Sequence, residues 1–462
     1  MVRPLRTLLA AITLILCAGA SFVCGQGLRR AAAPKHPSSK LDNRVSALPD
    51  SGIGGTSAET EGEADDVAPE ETFKEVLRYV KGDYVDKVDD EKKLGFGAIK
   101  TMLAALDDPK TRFLDPAQRT KLIDQLNGQY TGIGAALTVV KQRRGDAKSG
   151  VDLRRLAIVA PAPGSPAERA GLQPGDIITE IDGRWVIAYD PRLDVDQLVG
   201  DADDDKQVSK AAKEAADKLA KGTSLPKALD ILNDNSGKPV SLTVERAGQP
   251  KPISVTVTTA ATAVQPVETK ALDAKTTYLR VTQFNDRATE QFSAALTDSK
   301  RTSIILDLRN NVGGPITSRT NGALGSAISL VGKLSGTGSI GSIMRRGGKV
   351  EPLTSSIPAT GRYKVVVLVN GGTSNLAEIA SLALKERTGA SIVGSHTFGD
   401  SVYQKLVELR DGAGMTVTTG KLVSGKGLDF TAKGVQPDVV IESGAPRPDD
   451  AVVQRALLLA AG

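Results

Sequence analysis

The sequence predicts a multi-domain α/β protein. Its length of 462 residues allows about three domains of roughly 150 residues each. In the last third of the chain, residues 304–308 and 365–369 form continuous apolar runs, the pattern of strands that are covered on both faces. Residues 376–384 follow with helical character, so strands and helices alternate and an α/β core is expected there.

The composition argues against several classes of function. Hydrophobic residues at 40% and charged residues at 24% are typical of a globular protein, whereas 3% aromatic residues are too few for platforms that stack on nucleic-acid bases. The net charge of +5 is spread along the chain and indicates no acidic partner. The only cysteines are Cys17 and Cys24, and the only histidines are His36 and His396. We therefore expect no disulfide in the folded body, no metal site, no cofactor and no nucleic-acid partner.

The first 25 residues have the pattern of an export signal. Arg3 and Arg6 precede an apolar run at residues 8–24, and residues 18–20 are small enough for cleavage. This run of 17 residues is at the lower limit for a membrane span, so an uncleaved anchor stays open as an alternative. Residues 26–68 are rich in Ala, Pro, Ser, Gly and acid, which indicates a disordered linker. The body is therefore predicted to work in the periplasm or cell envelope, touching the membrane only through its N-terminal segment.

Residues 69–127 are predicted to form a helical region. A second apolar set runs from residue 94 to 106, and the Asp-Pro pairs at 108–109 and 115–116 predict helix ends or first turns. We interpret the region as a packing collar without chemistry of its own. The first helix is predicted by five apolar residues at helical spacing, namely Phe73, Val76, Leu77, Val80 and Tyr84.

Residues 128–260 resemble a PDZ domain of the kind found in bacterial proteases. Turn glycines and apolar strands occur in the expected order, from Gly132-Ile133-Gly134 through residues 158–167 to 170–178 and 181–183. A loop of this kind presents main-chain amides to a terminal carboxylate, while the next strand edge pairs with the incoming peptide. The resemblance implies binding of protein or peptide C-termini. A domain that only packs is the alternative.

The PDZ-like segment carries an insertion at about residues 187–224. Acidic residues at 203–205 precede five lysines and a narrow, mostly alanine stripe, as in a helix whose charges complement its own dipole. Burial of alanine stabilises a helix weakly. We interpret the insertion as a solvated lid or spacer, with a partner-binding helix as the alternative.

The last part, residues 264–445, carries the most specific resemblance. Ordered motifs at 278–284, 306–314, 367–370, 393–399 and 434–438 are similar to those of the carboxy-terminal processing (tail-specific) serine peptidase family. The helical region and the PDZ domain precede them in the order of that family, so the resemblance covers almost everything after Phe73. It implies a ββα-superhelix-like, crotonase-like peptidase domain, followed by a C-terminal segment at 446–462.

The resemblance also assigns site residues. The nucleophilic serine of the family aligns with Asn375, since Asn370 and Glu378 match the flanking pattern. The lysine base that follows Thr-Phe-Gly in the family aligns with Asp400, and the supporting glutamine four residues later is retained as Gln404. In such peptidases the main-chain donors of Gly313 and Gly314 lie beside the scissile bond, where they could hold a peptide carbonyl.

Neither Asn375 nor Asp400 suits catalysis. Asparagine has no ionisable group with which to attack an amide, and a carboxylate is a weaker base than a lysine tuned to neutrality by about three pKa units, or ~4 kcal/mol. A negative charge would also oppose the oxyanion of acyl transfer. The structural interpretation is that Asn375 and Glu378 form a capping box and that Asp400 is a solvated loop residue.

Two functions are therefore predicted. The first is a pseudopeptidase that holds protein C-termini or an envelope partner protein. The second is an active endopeptidase with relocated catalytic residues, in which Ser374 and His396 would join Asp400 as a triad.

Overall fold

The computed structural model describes ten segments of the chain. They are residues 69–86, 91–144, 151–188, 205–234, 236–298, 301–314, 316–317, 322–442, 446–447 and 449–461. The predicted export signal, the predicted linker and the first part of the insertion lie outside these segments. Contacts divide the chain into two compact units, Met1–Gly97 and Ala98–Gly462. Among the described residues, no helix has the length and apolar character needed to cross a membrane.

The described part of residues 69–127, the predicted helical region, contains three helices and one short strand. Asp115 caps the third helix as the sequence predicts, because its Oδ1 accepts from the Gln118 N–H at 2.9 Å while the Asp115 N–H donates to Gln118 Oε1 at 3.3 Å. The elements are α1 (Pro69–Asp83), α2 (Glu91–Ala104), β1 (Arg112–Leu114) and α3 (Pro116–Leu126).

The PDZ-like segment is a sheet whose strand order is β3-β4-β5-β6-β7, with β8 also paired to β5 and β9 to β8. β3 pairs only with β4 among the described strands, so it is an edge strand. Leu156, Ile158, Ile178, Leu232 and Leu242 form the centre of the core. The elements are β2 (Gln129–Tyr130), β3 (Ala135–Arg144), β4 (Val151–Pro161), α4 (Pro166–Arg169), β5 (Ile177–Ile181), β6 (Arg184–Ile187), α5 (Asp205–Lys221), β7 (Thr223–Ser224), α6 (Leu225–Leu232), β8 (Pro239–Glu245), β9 (Ile253–Thr258) and β10 (Thr262–Ala263).

The described part of the insertion contains the helix α5, as the charge pattern predicts. Its stripe is not solvated, however, since Val208 and Ala215 are buried in a small apolar cluster. Close packing continues at Gly222, where a Cβ would lie 2.6 Å from Cγ1 of Ile187. The interpretation as a solvated helix is therefore wrong for this face, because small side chains let the helix approach closely.

The described residues of the last part of the chain form two sheets. In the first, β12, β13, β17, β18 and β21 run parallel and β11 is antiparallel at the edge. The second has the order β14-β19-β20-β15-β16, and β1 of the helical region pairs with β20. The elements are β11 (Val267–Ala271), β12 (Thr276–Val281), α7 (Asp286–Asp298), β13 (Ser303–Asp307), β14 (Ile316–Thr317), α8 (Gly322–Ser335), β15 (Gly338–Met344), a 3-10 turn (Arg346–Gly348), β16 (Val350–Ser355), β17 (Lys364–Val369), α9 (Leu376–Thr388), β18 (Ser391–Gly394), β19 (Val402–Glu408), β20 (Gly414–Ser424), β21 (Val439–Val440) and α10 (Ala451–Ala461).

The two apolar runs of the sequence are the central strands β13 and β17, and both are covered on both faces. One face of the parallel sheet packs with α7, α8 and α9 in the main apolar core. The opposite face, which includes Tyr278, Ile305 and Val366, is covered by α10. Because β17 and β18 are parallel neighbours, the segments that follow them, residues 370–375 and 395–401, leave the same edge of the sheet. This edge carries the predicted site.

Candidate active site

Asn375 lies in the tight turn between β17 and α9. It is 7% exposed, and its backbone has φ 53° and ψ −114°, a conformation that non-glycine residues rarely adopt. Its side-chain Nδ2 donates to the main-chain carbonyls of Val402 at 2.7 Å and Asp400 at 3.2 Å. The structure therefore places the predicted nucleophile position, Asn375, next to the predicted base position, Asp400. The side-chain amide of Asn375 connects the two through its hydrogen bond to the Asp400 carbonyl.

Glu378 fixes the main chain at both Asn375 and Asp400 through hydrogen bonds. Its carboxylate is fully buried and accepts from the N–H groups of Asn375 at 2.9 Å, Asp400 at 2.9 Å and Gly399 at 2.8 Å, and from the Thr397 hydroxyl. Burial raises the pKa of Glu378 from 4.5 to about 7, although these four hydrogen bonds act in the opposite direction. The Glu378 half of the predicted capping box is present, and the same side chain also organises the 397–400 segment.

Asp400 is not the solvated loop residue that the sequence suggests. Its Oδ2 forms an ion pair with Nζ of Lys110, and its Oδ1 accepts from the Val402 N–H at 3.1 Å. The side chains of Lys110 and Asp400 are 21% and 17% exposed. Sequence reasoning missed Lys110, because nothing in the local sequence indicates that the turn after α2 reaches this edge of the sheet.

Gln404 fixes the backbone of Lys110. Its Nε2 donates to the Lys110 carbonyl at 2.7 Å, and the Thr416 hydroxyl donates to the same oxygen at 2.7 Å. The retained glutamine therefore supports the position of a lysine that comes from another part of the chain.

The same turn also contacts the PDZ-like segment. Asp107, which has φ 51°, forms ion pairs with Lys141 of β3, at 2.7 Å, and with Arg154 of β4. Residues 107–110, which we call the bridging turn, thus connect strands β3 and β4 of the PDZ-like segment to Asp400.

Gly313 and Gly314 follow β13; Gly313 approaches Asn375, whereas a Cβ on Gly314 would lie 3.1 Å from Cδ2 of Leu126. A Cβ on Gly313 would lie 2.6 Å from the Leu376 nitrogen and 2.9 Å from Cβ of Asn375, so only glycine fits there. The Gly313 N–H donates to Oδ1 of Asn311 at 2.9 Å. This predicted donor to a substrate carbonyl is therefore engaged within the protein.

Ser374 and His396 are placed differently from Asn375 and Asp400. Ser374 is 2% exposed and its N–H donates to the Asn311 carbonyl at 2.9 Å, whereas His396 is exposed. Among the described residues, no hydrogen bond joins His396 to Ser374 or to Asp400. The structure does not assemble the predicted relocated triad.

The glycine loop of the PDZ-like segment closes on its own domain. Gly132 and Gly134 have φ of 75° and 70°, and a Cβ on Gly132 would lie 2.0 Å from the Leu232 carbonyl oxygen. The Ile133 N–H donates to that same oxygen at 2.8 Å, so it is not directed at a ligand. The edge of β3 remains as a surface for pairing with a peptide.

The PDZ-like segment also packs on the loop that precedes Asn375. A Cβ on Gly372 would lie 3.0 Å from Cβ of Ala160, and one on Gly371 would lie 3.5 Å from Cβ of Pro174.

Within the described ranges, no group of three or more His, Cys, Asp or Glu side chains is suited to hold a metal ion.

Comparison with known proteins identifies two domain families in the chain. A family model described as peptidase family S41 matches residues 275–441, and a PDZ domain model matches residues 158–209. The chain is 30% identical over 381 residues to a carboxyl-terminal-processing protease of Synechocystis sp., covering 79% of this chain and 77% of that protein. It is 30% identical over 375 residues to the chloroplastic C-terminal processing peptidase of Tetradesmus obliquus, covering 80% and 72%.

A solved structure is similar over most of its length. The photosystem II D1 C-terminal processing protease superposes with a TM-score of 0.59 at 26% identity, covering 83% of this chain and 90% of that one. The multi-domain α/β fold, the PDZ domain and the sequence relationships lead to one assignment. The chain belongs to the carboxyl-terminal-processing family of serine peptidases, peptidase family S41.

Proposed function

We propose that this chain is a catalytically impaired, exported member of its family, which binds protein C-termini or partner proteins without hydrolysing them. One observation carries the proposal: the group at the predicted nucleophile position is the amide of Asn375, and it donates to the carbonyls of Asp400 and Val402. A side chain that acts as a structural clamp between two loops is unavailable as a nucleophile.

The chemistry around Asn375 supports the same conclusion. Acyl transfer to a serine requires a hydroxyl and a base that takes its proton, and neither is present at these two positions. The Asp400 carboxylate is paired with the Lys110 ammonium and accepts from Val402. The amide of Gly313, a candidate donor to an oxyanion, is bonded to Asn311.

The PDZ domain is the basis for binding. A strand edge with unpaired main-chain groups can add an extended peptide as a further strand, and β3 presents such an edge among the described strands. Because the Ile133 N–H donates a hydrogen bond to the Leu232 carbonyl, we assign the affinity for peptides chiefly to the edge of β3. Free C-termini of protein substrates or of an envelope partner are the proposed ligands.

The proposal is tested by comparing binding with turnover. The purified full chain is titrated with a fluorescent peptide that ends in apolar residues, and is incubated separately with an unfolded protein whose fragments are sought by mass spectrometry. We expect saturable binding and no fragments. Cleavage by the unsubstituted chain that disappears in a Ser374→Ala or His396→Ala variant would support the relocated triad and reject the proposal.

Reconstruction of the predicted catalytic pair makes the test sharper. We expect the double change Asn375→Ser with Asp400→Lys to produce fragments, and the matched control Asn375→Ala with Asp400→Lys to produce none. Lys110 would then lie beside a second ammonium, which lowers the pKa of the introduced lysine. Cleavage should therefore begin at lower pH in the double variant than in the same variant carrying Lys110→Met.

Export is part of the proposal because residues 1–25 have the pattern of a signal or an anchor. We expect the full chain in the envelope fraction of a producing cell and a chain lacking residues 1–25 in the cytoplasm. Equal distribution of the two chains would contradict export through this segment.

A further inference from the structure

The main chain at Asn375 has the geometry in which an asparagine can react with the peptide nitrogen that follows it. Its ψ is −114°, and the tetrahedral Cα places Cβ about 120° of rotation from the main-chain nitrogen. The Cα–Cβ bond therefore nearly eclipses the bond from the Asn375 carbonyl carbon to the Leu376 nitrogen. The side chain and that nitrogen lie on the same side, as they do in a five-membered ring.

The packing of Gly313 shows the same proximity independently. A Cβ on Gly313 would lie 2.6 Å from the Leu376 nitrogen and 2.9 Å from Cβ of Asn375, so both atoms border one small space. Leu376 is the first residue of α9, where an N–H has no acceptor within its own helix. Among the residues that the structure describes, no other group accepts a hydrogen bond from this N–H. The nitrogen is thus close to the side chain and not engaged elsewhere.

The fold holds Asn375 in this conformation. Its φ of 53° is strained for a residue with a side chain, and a flexible peptide visits such a conformation rarely. Here the Asn375 N–H donates to the buried Glu378 carboxylate at 2.9 Å, and Nδ2 donates to the carbonyls of Val402 and Asp400. A geometry that is a rare fluctuation in a free chain is therefore maintained permanently, which favours a reaction within the residue pair.

We propose that Asn375 is a site of spontaneous modification, at which the chain converts its own asparagine into aspartate and isoaspartate through a cyclic imide. The Leu376 nitrogen loses its proton to solvent and attacks Cγ of Asn375. The bond between this nitrogen and Cγ forms, the bond between Cγ and Nδ2 breaks, and Nδ2 takes a proton and leaves as ammonia. Water then opens the ring at either of its two carbonyls. One water is consumed, one ammonia is released, and nothing is oxidised or reduced.

The products change the candidate site. Ammonia removes the nitrogen that donates to the carbonyls of Asp400 and Val402, so the hydrogen bonds between the two loops are lost. The carboxylate that replaces the amide faces the same carbonyl oxygens, which repel it, and isoaspartate adds one carbon to the main chain. This modification does not depend on whether the chain cleaves or binds peptides.

Asn127 is an internal control for the geometry. In a flexible chain an asparagine before glycine closes the imide ring fastest, because glycine has no side chain to obstruct the attack, whereas leucine hinders it. Asn127 precedes Gly128 and is exposed, but its ψ is 5° and the Gly128 N–H donates to the Gln125 carbonyl at 3.0 Å. Its attacking nitrogen is therefore both turned away and engaged, so the fold should reverse the order of the two sites.

The test compares these two asparagines in one protein. The full chain is aged at mildly alkaline pH, either folded in mild detergent or unfolded in concentrated urea, and its peptides are then quantified by mass spectrometry. In the folded chain we expect Asn375 to convert at least about tenfold faster than Asn127, and in urea we expect the opposite order. Hydroxylamine, which cleaves a cyclic imide, should cut the aged folded chain between Asn375 and Leu376.

Asn375→Gln is the matched variant, because it keeps the amide but needs a larger, six-membered ring. It should lose both the mass gain at this position and the cut by hydroxylamine, while circular dichroism verifies that it is folded. A folded chain in which Asn375 stays unchanged overturns the proposal, as does conversion of Asn375 that is faster in urea than in the fold. A cut by hydroxylamine that persists in Asn375→Gln contradicts it as well. The comparison of the folded with the unfolded chain decides the matter even where the variant fails to fold.

Discussion

Glu378 is the residue on which the geometry of the candidate site depends. Its buried carboxylate accepts from the main chain of both Asn375 and Asp400, so it fixes the two loops relative to one another. The sequence predicts part of this role, since a glutamate three residues after an asparagine suggests a capping box. The contacts to Gly399 and Asp400 depend on the packing of β17 beside β18 and are not visible in the local sequence.

The raised pKa of Glu378 leads to a pH-dependent prediction. Burial raises this pKa from 4.5 to about 7, so the folded chain holds the proton more tightly than the unfolded chain does. The corresponding stabilisation is complete below about pH 4 and is lost as the pH rises through 7, a change on the order of 3 kcal/mol. Urea unfolding at pH 5 and pH 8 should show the advantage of the unsubstituted chain over Glu378→Gln shrinking toward pH 8.

Glu378→Gln is the appropriate comparison because glutamine is similar in size and does not titrate. The NH2 group of the glutamine also faces main-chain N–H groups that now donate to the Glu378 side chain, so the variant should be less stable at both pH values. Unfolding curves whose difference does not change between pH 5 and pH 8 would contradict a raised pKa at this position.

Asn375 shows how far the sequence alone reaches. The apolar strand before it and the helix after it predict that it lies in a turn at the end of β17, and the structure confirms both elements. Its positive φ and its bonds to the carbonyls of Asp400 and Val402 could not be predicted, because they require the 395–401 segment to lie opposite. Local pattern predicts where a residue is, while tertiary contacts decide what its side chain does.

The bridging turn is the element that joins separate parts of the fold at the site. Asp107 pairs with Lys141 and Arg154 of the PDZ strands, and Lys110 pairs with Asp400. The Asp-Pro pair at 108–109 predicts a helix end here, and α2 does end at Ala104. The contacts of the turn could not be predicted, because its partners come from distant parts of the sequence. A single charged residue also forms no periodic pattern from which its partner could be inferred.

The Lys110–Asp400 pair should contribute measurably to stability. Both side chains are about one-fifth exposed, so removal of one partner leaves a poorly solvated charge. In a double-mutant cycle with Lys110→Met and Asp400→Asn, we expect each single change to cost about 2 kcal/mol and the coupling energy to be about 1 to 2 kcal/mol. Denaturant unfolding of the four proteins measures it.

The chain offers a matched control for this cycle. Lys385 and Asp438 also form an ion pair, but their side chains are 40% and 39% exposed. Solvent screens such a pair, so its coupling energy should be below about 1 kcal/mol. Equal coupling energies in the two cycles would show that the lower exposure of Lys110 and Asp400 does not strengthen their ion pair.

At the scale of the whole molecule, the PDZ domain and the peptidase domain meet at the loop between β17 and α9. Pro174 lies against Gly371 and Ala160 against Gly372, only a few residues before Asn375. The PDZ domain therefore packs directly on the loop that leads to Asn375. The order of the domains is predicted by the sequence, whereas this contact depends on small side chains whose partners the sequence does not indicate.

A bulky side chain at position 371 should separate the PDZ domain from the peptidase domain without unfolding either one. A Cβ at this position would touch only Cβ of Pro174 at 3.5 Å and the His396 carbonyl oxygen at 3.8 Å, both ordinary van der Waals distances, so Gly371→Ala should be nearly neutral. Gly371→Trp places an indole in the same space and forces the PDZ domain away, because overpacking typically costs about 1 to 3 kcal/mol. Small-angle scattering should therefore give a larger radius of gyration for the tryptophan variant than for the alanine variant, together with faster proteolysis between the domains. Identical scattering and proteolysis of the two variants would show that the contact at Gly371 does not hold the PDZ domain in place.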